Sequence, residues 1–289
     1  MSRDEIVRQA EGVIREGSRS FRMASRLFDR TTRERAWLLY CWCRHCDDVC
    51  DGQALGRGGG VGGAGMAESE RLTALALAGQ PTGRTPFDAL AALVAECPIP
   101  RRLIEDHLEG FRLDEQGWRP ADEADLLRYC YHVAGAVGCM MAVVMGVPAD
   151  EEATLARAGE LGIAFQLSNI ARDVAADHDS GRCYIPAAWL AAQGLTERNL
   201  LHGSNRARLV TLVRRICGLA EVFEASARAG VARLPFRSRW AILSAAGIYG
   251  RIGRRVAALG TEAWEKRVFV PRREKAAIMM SALGEAIVA

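Results

Sequence analysis

Residues 165–177 read FQLSNIARDVAAD. At 3.6 residues per turn, Gln166, Asn169, Asp173 and Asp177 stand at i, i+3, i+7 and i+11 and share one face within roughly 60°. The helix is otherwise largely apolar, and amides and acids set among apolar side chains are costly unless something satisfies them. A second segment repeats the theme. In YCWCRHCDDVCD, residues 40–51, Tyr40, Arg44, Asp47 and Asp51 fall within roughly 60° of one another, while Asp48 is turned about 100° from Asp47. Acids at i and i+4 repel by about 0.2–0.5 kcal/mol on an exposed helix, so one D-x-x-x-D alone says little. Two copies on separate long helices say much more: they call for a helical fold in which two carboxylate pairs face each other.

The second segment also holds Cys41, Cys43, Cys46 and Cys50. Cys43, Cys46 and Cys50 share a neighbouring stripe and Cys41 points elsewhere, so they do not converge. A tetrahedral zinc site draws its ligands from a knuckle plus a second element, which one straight helix cannot supply. The thiols therefore read as small packing residues. Facing carboxylates offer only oxygen, the preference of Mg²⁺ or Mn²⁺, and magnesium readily bridges carboxylates to phosphate oxygens. Arg44 and Arg172 stand beside the acids with guanidinium forks suited to phosphate. Arg172, about 100° from Asp173, equally suits a structural salt bridge. The missing ligand is expected to be a diphosphate.

Helical periodicity and punctuation run along nearly the whole chain, and alternating strand patterns are hard to find. The expected helices lie at roughly 4–16, 18–27, 32–52, 67–79, 84–95, 100–115, 123–146, 150–177, 186–191, 205–231, 238–258 and 272–286. Thr31 with Glu34 reads as a capping box, and Asp122 and Asp150 as N-caps. GRGGGVGGAG at 56–65 cannot hold a helix and reads as a mobile loop; it follows a helical acidic motif rather than a strand, so it is no dinucleotide fingerprint. HDSGRCYIP at 178–186 is a second break. Composition does not shift across either, and residues 1–289 are expected to form a single all-α domain.

The net charge is only +3, too small to imply nucleic acid by itself, although arginines cluster at 208–215, 251–255 and 266–273. Such clusters suit phosphate, an anionic membrane surface or simply a wet helix face. The N-terminus, MSRDEIVRQAEGVIREG, is charged and amphipathic rather than signal-like, so the nine cysteines are expected to be reduced thiols of a cytoplasmic protein. The longest apolar run, VAGAVGCMMAVVMGV at 133–147, is short and rich in small residues, and reads as a buried helix rather than a membrane span.

The motifs, taken in order, resemble the squalene/phytoene synthase family, the head-to-head class of isoprenyl diphosphate synthases. GSRSF (17–21) is similar to the family's S-x-S-F opening, and YCWCRHCDDVCD to its first aspartate-rich motif. YCYHVAGAVG (129–138) resembles Y-C-Y-x-V-A-G-x-V-G, and QLSNIARDVAAD followed by GRCYIP resembles the second aspartate-rich signature. ERNLL, AAGIYGRI and RVFVPRREK follow in matching order. The resemblance implies an all-α isoprenoid (class I terpenoid) synthase fold with helices around a central cavity. It implies that Asp47, Asp51, Asp173 and Asp177, with Asn169, bind Mg²⁺ and through it the substrate diphosphates. Ser18, Ser20, Arg44, Gln166, Asn169 and Arg267 would contact phosphate or the metal shell, and Tyr129 and Tyr249 would line the reaction chamber, the alternative for Tyr129 being a buried core tyrosine with a satisfied hydroxyl. Asp48 is left out of the metal set. Gly17 departs from relatives that carry a polar side chain before S-x-S-F.

The implied reaction joins two prenyl diphosphates through a cyclopropyl intermediate, in an apolar cavity that keeps water from the allylic cation. Small residues at Ala134, Gly135, Ala136 and Gly138 would leave room for the chains, or serve close helix packing. Within the family, the wording N-I-A-R-D-V…G-R-C-Y-I-P points to two geranylgeranyl diphosphates condensing to phytoene in carotenoid synthesis, with no NADPH expected. The alternative is two farnesyl diphosphates giving dehydrosqualene or squalene. Expected partners are the two prenyl diphosphates, a peripheral contact with the inner membrane face, and other carotenoid-pathway enzymes. A reading of a different class, a helical nucleic-acid-binding protein with CWCRHC as a zinc knuckle, predicts bound zinc and salt-dependent binding; no nucleic acid is expected on the main reading.

Overall fold

The computed structural model describes the backbone of residues 1–51, 53–54, 57–58 and 65–289, with side chains for all of these except 19, 20, 51, 53, 54, 57 and 58. Its longest helix, α9 (Glu152–Asp179), packs against α8 (Ala136–Val144), α11 (Arg206–Arg228) and α12 (Phe236–Leu259). The acidic helix α3 (Arg30–Asp51) is held by α1 (Arg3–Gly17), α5 (Thr85–Glu96) and α6 (Arg101–Glu115). The remaining helices are α2 (Arg19–Ser25), α4 (Met66–Leu77), α7 (Glu123–Cys130), α10 (Ala187–Ala192) and α13 (Arg272–Val288).

Each long helix buries the stripe its sequence provides. Trp42, Leu38 and Leu39 of α3 meet Phe87, Leu90 and Leu93 of α5 in one apolar cluster. Leu167 and Ile170 of α9 meet Leu209, Leu212 and Ile216 of α11 in another.

The expected helices are present, with several local corrections. The start of α3 is capped by Asp29, not by Thr31 with Glu34: the Asp29 carboxylate accepts from Thr32 N at 3.0 Å and from the Thr32 hydroxyl at 2.7 Å. Glu34 instead accepts from Arg3 and Arg30. Asp122 caps α7 as expected, accepting from Asp125 N. Asp150 does not cap α9; Glu151 holds the N-cap position. The single helix expected over 123–146 is broken by a π-helical turn at Tyr131–Gly135, a wider turn that recurs at functional sites. Gln53–Ala54 and Arg57–Gly58 pair as a two-residue antiparallel ladder, β1 and β2, a departure from pure helix. The rest of the glycine-rich stretch expected as a loop, apart from Gly65, lies outside the described residues.

Glycines set how closely the π turn and α8 approach α9. A Cβ on Gly138 would lie 2.3 Å from the Ala158 carbonyl oxygen, and one on Gly162 2.2 Å from that of Ala134. Backbone meets backbone there, so Gly138 serves close packing. Glu123–Val144 is long and apolar enough to cross a membrane, but 56% of that window is buried inside the protein. Its residues pack on α6 and α9, as the sequence reading of a core helix requires.

Candidate active site at one end of an apolar cavity

Between α3, α8, α9 and α12 lies a cavity of about 320 Å³. Along α9 its lining runs from Asn169 to Thr154, a rise of about 22 Å. The wall is mostly apolar, with Leu39 of α3, Val137 and Met141 of α8, Leu161 and Phe165 of α9, and Ile242 of α12. Ala134 and Gly138 belong to this lining, whereas Ala136 is fully buried behind it, so the small residues divide between room and packing.

The polar stripes of α3 and α9 meet at this cavity. Tyr40, Arg44 and Asp47 line it from α3, Gln166 and Asn169 from α9, Tyr249 from α12 and Ser18 from the α1–α2 junction. Ser18 also caps α2, accepting from Phe21 N at 3.2 Å. A Cβ on Gly17 would come within 2.5 Å of the Tyr40 hydroxyl, so Tyr40 fills the place of the side chain that Gly17 lacks. Burial pushes the Tyr40 hydroxyl up to about 12, with Arg44 pulling the other way, and the group stays protonated at neutral pH. Tyr249 stacks on Phe165 with ring centroids 4.2 Å apart; burial likewise raises its pKa.

One turn beyond Asn169, Asp173 is held by two guanidiniums. Arg172 donates Nε to Oδ1 at 2.8 Å and Nη2 to Oδ2. Arg267 donates to the same two oxygens at 3.2 and 3.1 Å. Burial pushes the Asp173 carboxyl up, but the hydrogen bonds and charge of the two arginines outweigh it and hold it below the usual carboxylate range. The segment bearing Arg267 is tied down by Trp264, whose indole donates to the Ala171 carbonyl at 3.1 Å. Asp177 lies a turn further and is half-buried. Asp173, Asp177 and Arg267 do not line the cavity itself; the polar stripe of α9 leaves it towards the surface. Arg44 pairs with Asp48 at 2.5 Å, so Asp48 is a half-buried structural partner. The side chains of Asp51 and Ser20 lie outside the described residues.

Tyr129 takes the second of its two expected places, in the core rather than at the chamber. It is 3% exposed and does not line the cavity. Its hydroxyl donates to Asp114 at 2.8 Å, its ring stacks between Trp118 and Tyr184, and Tyr184 donates to the other Asp114 oxygen at 2.9 Å. The GRCYIP segment that carries Tyr184 also carries Arg182, whose Nη2 donates to the Cys50 carbonyl at 3.2 Å. The end of the first acidic helix is thereby tied to the turn that follows the second.

The acid and amides at the cavity offer hard oxygen donors, beside the Cys43 thiol and the His107 imidazole in the same lining. Cys41, Cys43 and Cys46 are buried in the core, and burial raises their pKa values, Cys41 to about 12, so they stay thiols. Buried thiols on one straight helix suit packing, since such a helix cannot wrap four ligands around an ion. Among the described residues no three His, Cys, Asp or Glu side chains gather as a metal cluster. Carboxylate and amide oxygens at Asp47, Gln166 and Asn169 fit a hard cation bridged to phosphate.

A model of the squalene/phytoene synthase family matches residues 14–274. The chain belongs to the squalene/phytoene synthase family. It is 45% identical over 276 residues to a 15-cis-phytoene synthase of Enterobacter agglomerans, covering 94% of this chain and 92% of that one. It is 42% identical over 292 residues to a 15-cis-phytoene synthase of Pantoea ananas, covering 99% and 94%. The crystal structure of a dehydrosqualene synthase in complex with ligand superposes with a TM-score of 0.86 at 25% identity, covering 99% of this chain and 98% of that one. The fold is the isoprenoid synthase fold, and the chain is a prenyltransferase of the head-to-head class.

One cavity residue escaped the family motifs. His107 is 1% exposed and belongs to the cavity lining between Trp42 and Phe111. Its Nδ1 lies 3.3 Å from the His132 carbonyl in the π turn, and its Nε2 has no partner among the described residues. Burial drops its pKa to about 4. No pattern sets it apart: Leu103, Ile104, Leu108 and Phe111 surround position 107 on the apolar face of α6.

Proposed function

We propose that this protein is a phytoene synthase, joining two geranylgeranyl diphosphates head to head with release of two diphosphates and two protons, and that residues 1–289 act as one domain in doing so. The observation that carries this reading is 45% and 42% identity to two 15-cis-phytoene synthases over nearly the full chain.

The chain's own residues have distinct tasks. Asp47, Asp51, Asn169, Asp173 and Asp177 are the residues that would hold Mg²⁺. When bound, the ion supplies charge neutralisation for a departing diphosphate. Arg44, Gln166, Ser18 and Ser20 bind phosphate oxygens, and Arg267 leaves Asp173 to take them as they arrive. The apolar wall from Leu39 to Ile242 holds both chains and excludes water, so the allylic cation meets a double bond rather than a hydroxide. In the first half the C1–O bond of one substrate breaks with its electron pair on diphosphate, the double bond of the second attacks, and a proton is lost to close the cyclopropane. In the second half the remaining diphosphate leaves, the skeleton rearranges to the 1′–1 link and a second proton departs. No reductant enters this balance, in keeping with a route that needs no NADPH. A released diphosphate accepts the last proton; Tyr249, a protonated phenol at the cavity wall, can pass a proton on to it but cannot keep one.

Direct competition between geranylgeranyl and farnesyl diphosphate tests the chain-length assignment. The expected result is a kcat/KM at least tenfold higher for the twenty-carbon substrate; a preference for the fifteen-carbon one assigns the chain to dehydrosqualene formation.

A further inference from the structure

Helix α13 breaks the pattern of the other surface helices. The outer face of α1, for comparison, exposes Asp4, Arg8, Gln9, Glu11 and Arg15, as a wet face should. On α13, Arg273, Ala276, Ala277, Met280, Gly284 and Ile287 fall within an arc of roughly 100°, and all six are exposed. Beyond Arg273 this face is apolar, with Met280 64% and Ile287 67% exposed. The opposite face is buried as usual, Ala282 and Ala286 packing on Val231 and Leu243.

Two further observations say what covers the outer face. First, the segment leading into α13 exposes Phe269 to 69% among Lys266, Arg267, Arg272 and Arg273, all exposed. Other arginines of the basic clusters are engaged inside the fold: Arg214 donates to the Ala257 carbonyl, Arg215 lies over Trp189, and Arg251 and Arg255 hold Glu274. The acids of α13 are spoken for as well, Glu274 by those two and Glu285 by Arg228. An exposed aromatic among cations beside an apolar helical stripe is complementary to anionic headgroups over hydrocarbon. Second, Val231, which shares an apolar cluster with Ala282 and Ala286 of α13, also lines the cavity, and its neighbour Gly230 sits against Arg157, about three turns along α9 from Asn169. The end of the cavity away from Asn169, lined by Thr154 and Arg157 as well as Val231 and Leu234, therefore sits beneath this face.

We propose that the outer face of α13, with Phe269 and the flanking Lys266, Arg272 and Arg273, docks on an anionic lipid bilayer and brings the end of the cavity away from Asn169 up to the hydrocarbon. Docking stands on the surface alone; its use in delivering long-chain substrates and removing a hydrocarbon product rests on the reading above.

The test is flotation of the whole purified chain, without substrate, with phosphatidylcholine vesicles with and without phosphatidylglycerol. Wild-type protein is expected to float with the anionic vesicles and to be released as salt rises. Met280→Glu and Ala277→Glu should each lower the bound fraction roughly tenfold, and Arg272→Glu with Arg273→Glu should remove the preference for anionic lipid. Val222→Glu, at a 65% exposed apolar position on α11, should change nothing. Two independent stripe variants, each checked by thermal melting, guard against misfolding of either one. Failure of wild-type protein to float, or floating that both stripe variants retain, overturns the proposal. Vesicle-free self-association abolished by Met280→Glu, seen in sedimentation velocity, would assign the face to a second copy instead. Because no substrate is present, a negative result leaves phytoene formation untouched, and an inactive protein that floats fails only the functional reading.

Discussion

Arg267 reaches over α9 and sets its Nε and Nη2 at 3.2 and 3.1 Å from the two carboxylate oxygens of Asp173. Arg172, the preceding residue of the same helix, holds that carboxylate from its own side. Asp173 is thus fully engaged by cations before any metal arrives, and Arg267, 72% exposed, is the arm free to swing away.

From this follows a split effect. Arg267→Ala should raise the KM for prenyl diphosphate about tenfold, the scale of one charge-assisted phosphate contact, while lowering the Mg²⁺ concentration for half-maximal activity because Asp173 loses a competitor. Steady-state kinetics against each ligand separately checks both. Asp173→Asn should lower kcat by about 100- to 1,000-fold with the fold intact, as loss of a preorganised electrostatic contact does.

Acid should destabilise the protein through His107. Its folded pKa is about 4, against about 6.5 for an unfolded histidine. The unfolded chain therefore binds the extra proton first, so stability is full above about pH 6.5 and falls by about 3 kcal/mol as pH drops to about 4. Asp173, with its depressed carboxyl, adds a loss of the same sign at lower pH. Urea denaturation across this range should show the slope, and His107→Phe should flatten it between pH 6.5 and 4.

Tyr129 should report on stability. Removing the hydroxyl that donates to Asp114 at 2.8 Å should cost about 1.5–3 kcal/mol, the range for a hydrogen bond to a charged group. Urea midpoints of Tyr129→Phe and Tyr184→Phe, measured singly and together, check this; the pair should be non-additive because both act on one carboxylate.

The close approach of the π turn to α9 makes a further prediction. Gly162→Ala would drive a methyl to 2.2 Å from the Ala134 oxygen and 2.8 Å from the Gly135 Cα. Backbone cannot give way as a side-chain tip can, so the variant should lose about 1–3 kcal/mol or more. Ala158→Gly, at a cavity wall position of the same helix, should cost no more than about 1 kcal/mol. Thermal melts distinguish the two.

What the sequence made legible was whatever repeats at helical period. The stripes of α3 and α9 can be traced on a helical wheel, and Asp47, Gln166 and Asn169 duly meet at one cavity. Tyr129 misled because its partners lie far off in the chain, Asp114 on α6 and Tyr184 beyond α9. A motif names a residue but does not say which side of a helix faces the chamber, and the π turn at Tyr131–Gly135 shifts that register by an amount no 3.6-residue count includes. Asp29 displaced the expected Thr31 cap because both suit an N-cap, and the choice depends on where the preceding turn leaves the backbone. His107 is not legible because a single histidine on an apolar face is indistinguishable, by pattern alone, from a core residue.

The account turns on one product. Purified protein should be incubated with Mg²⁺ and geranylgeranyl diphosphate, without NADPH, and the extracted hydrocarbon weighed by mass spectrometry. The account predicts phytoene, with two diphosphates released for each molecule formed. Diphosphate release from farnesyl diphosphate alone, or no hydrocarbon from either substrate with an Asp173→Ala variant indistinguishable from wild type, would contradict it.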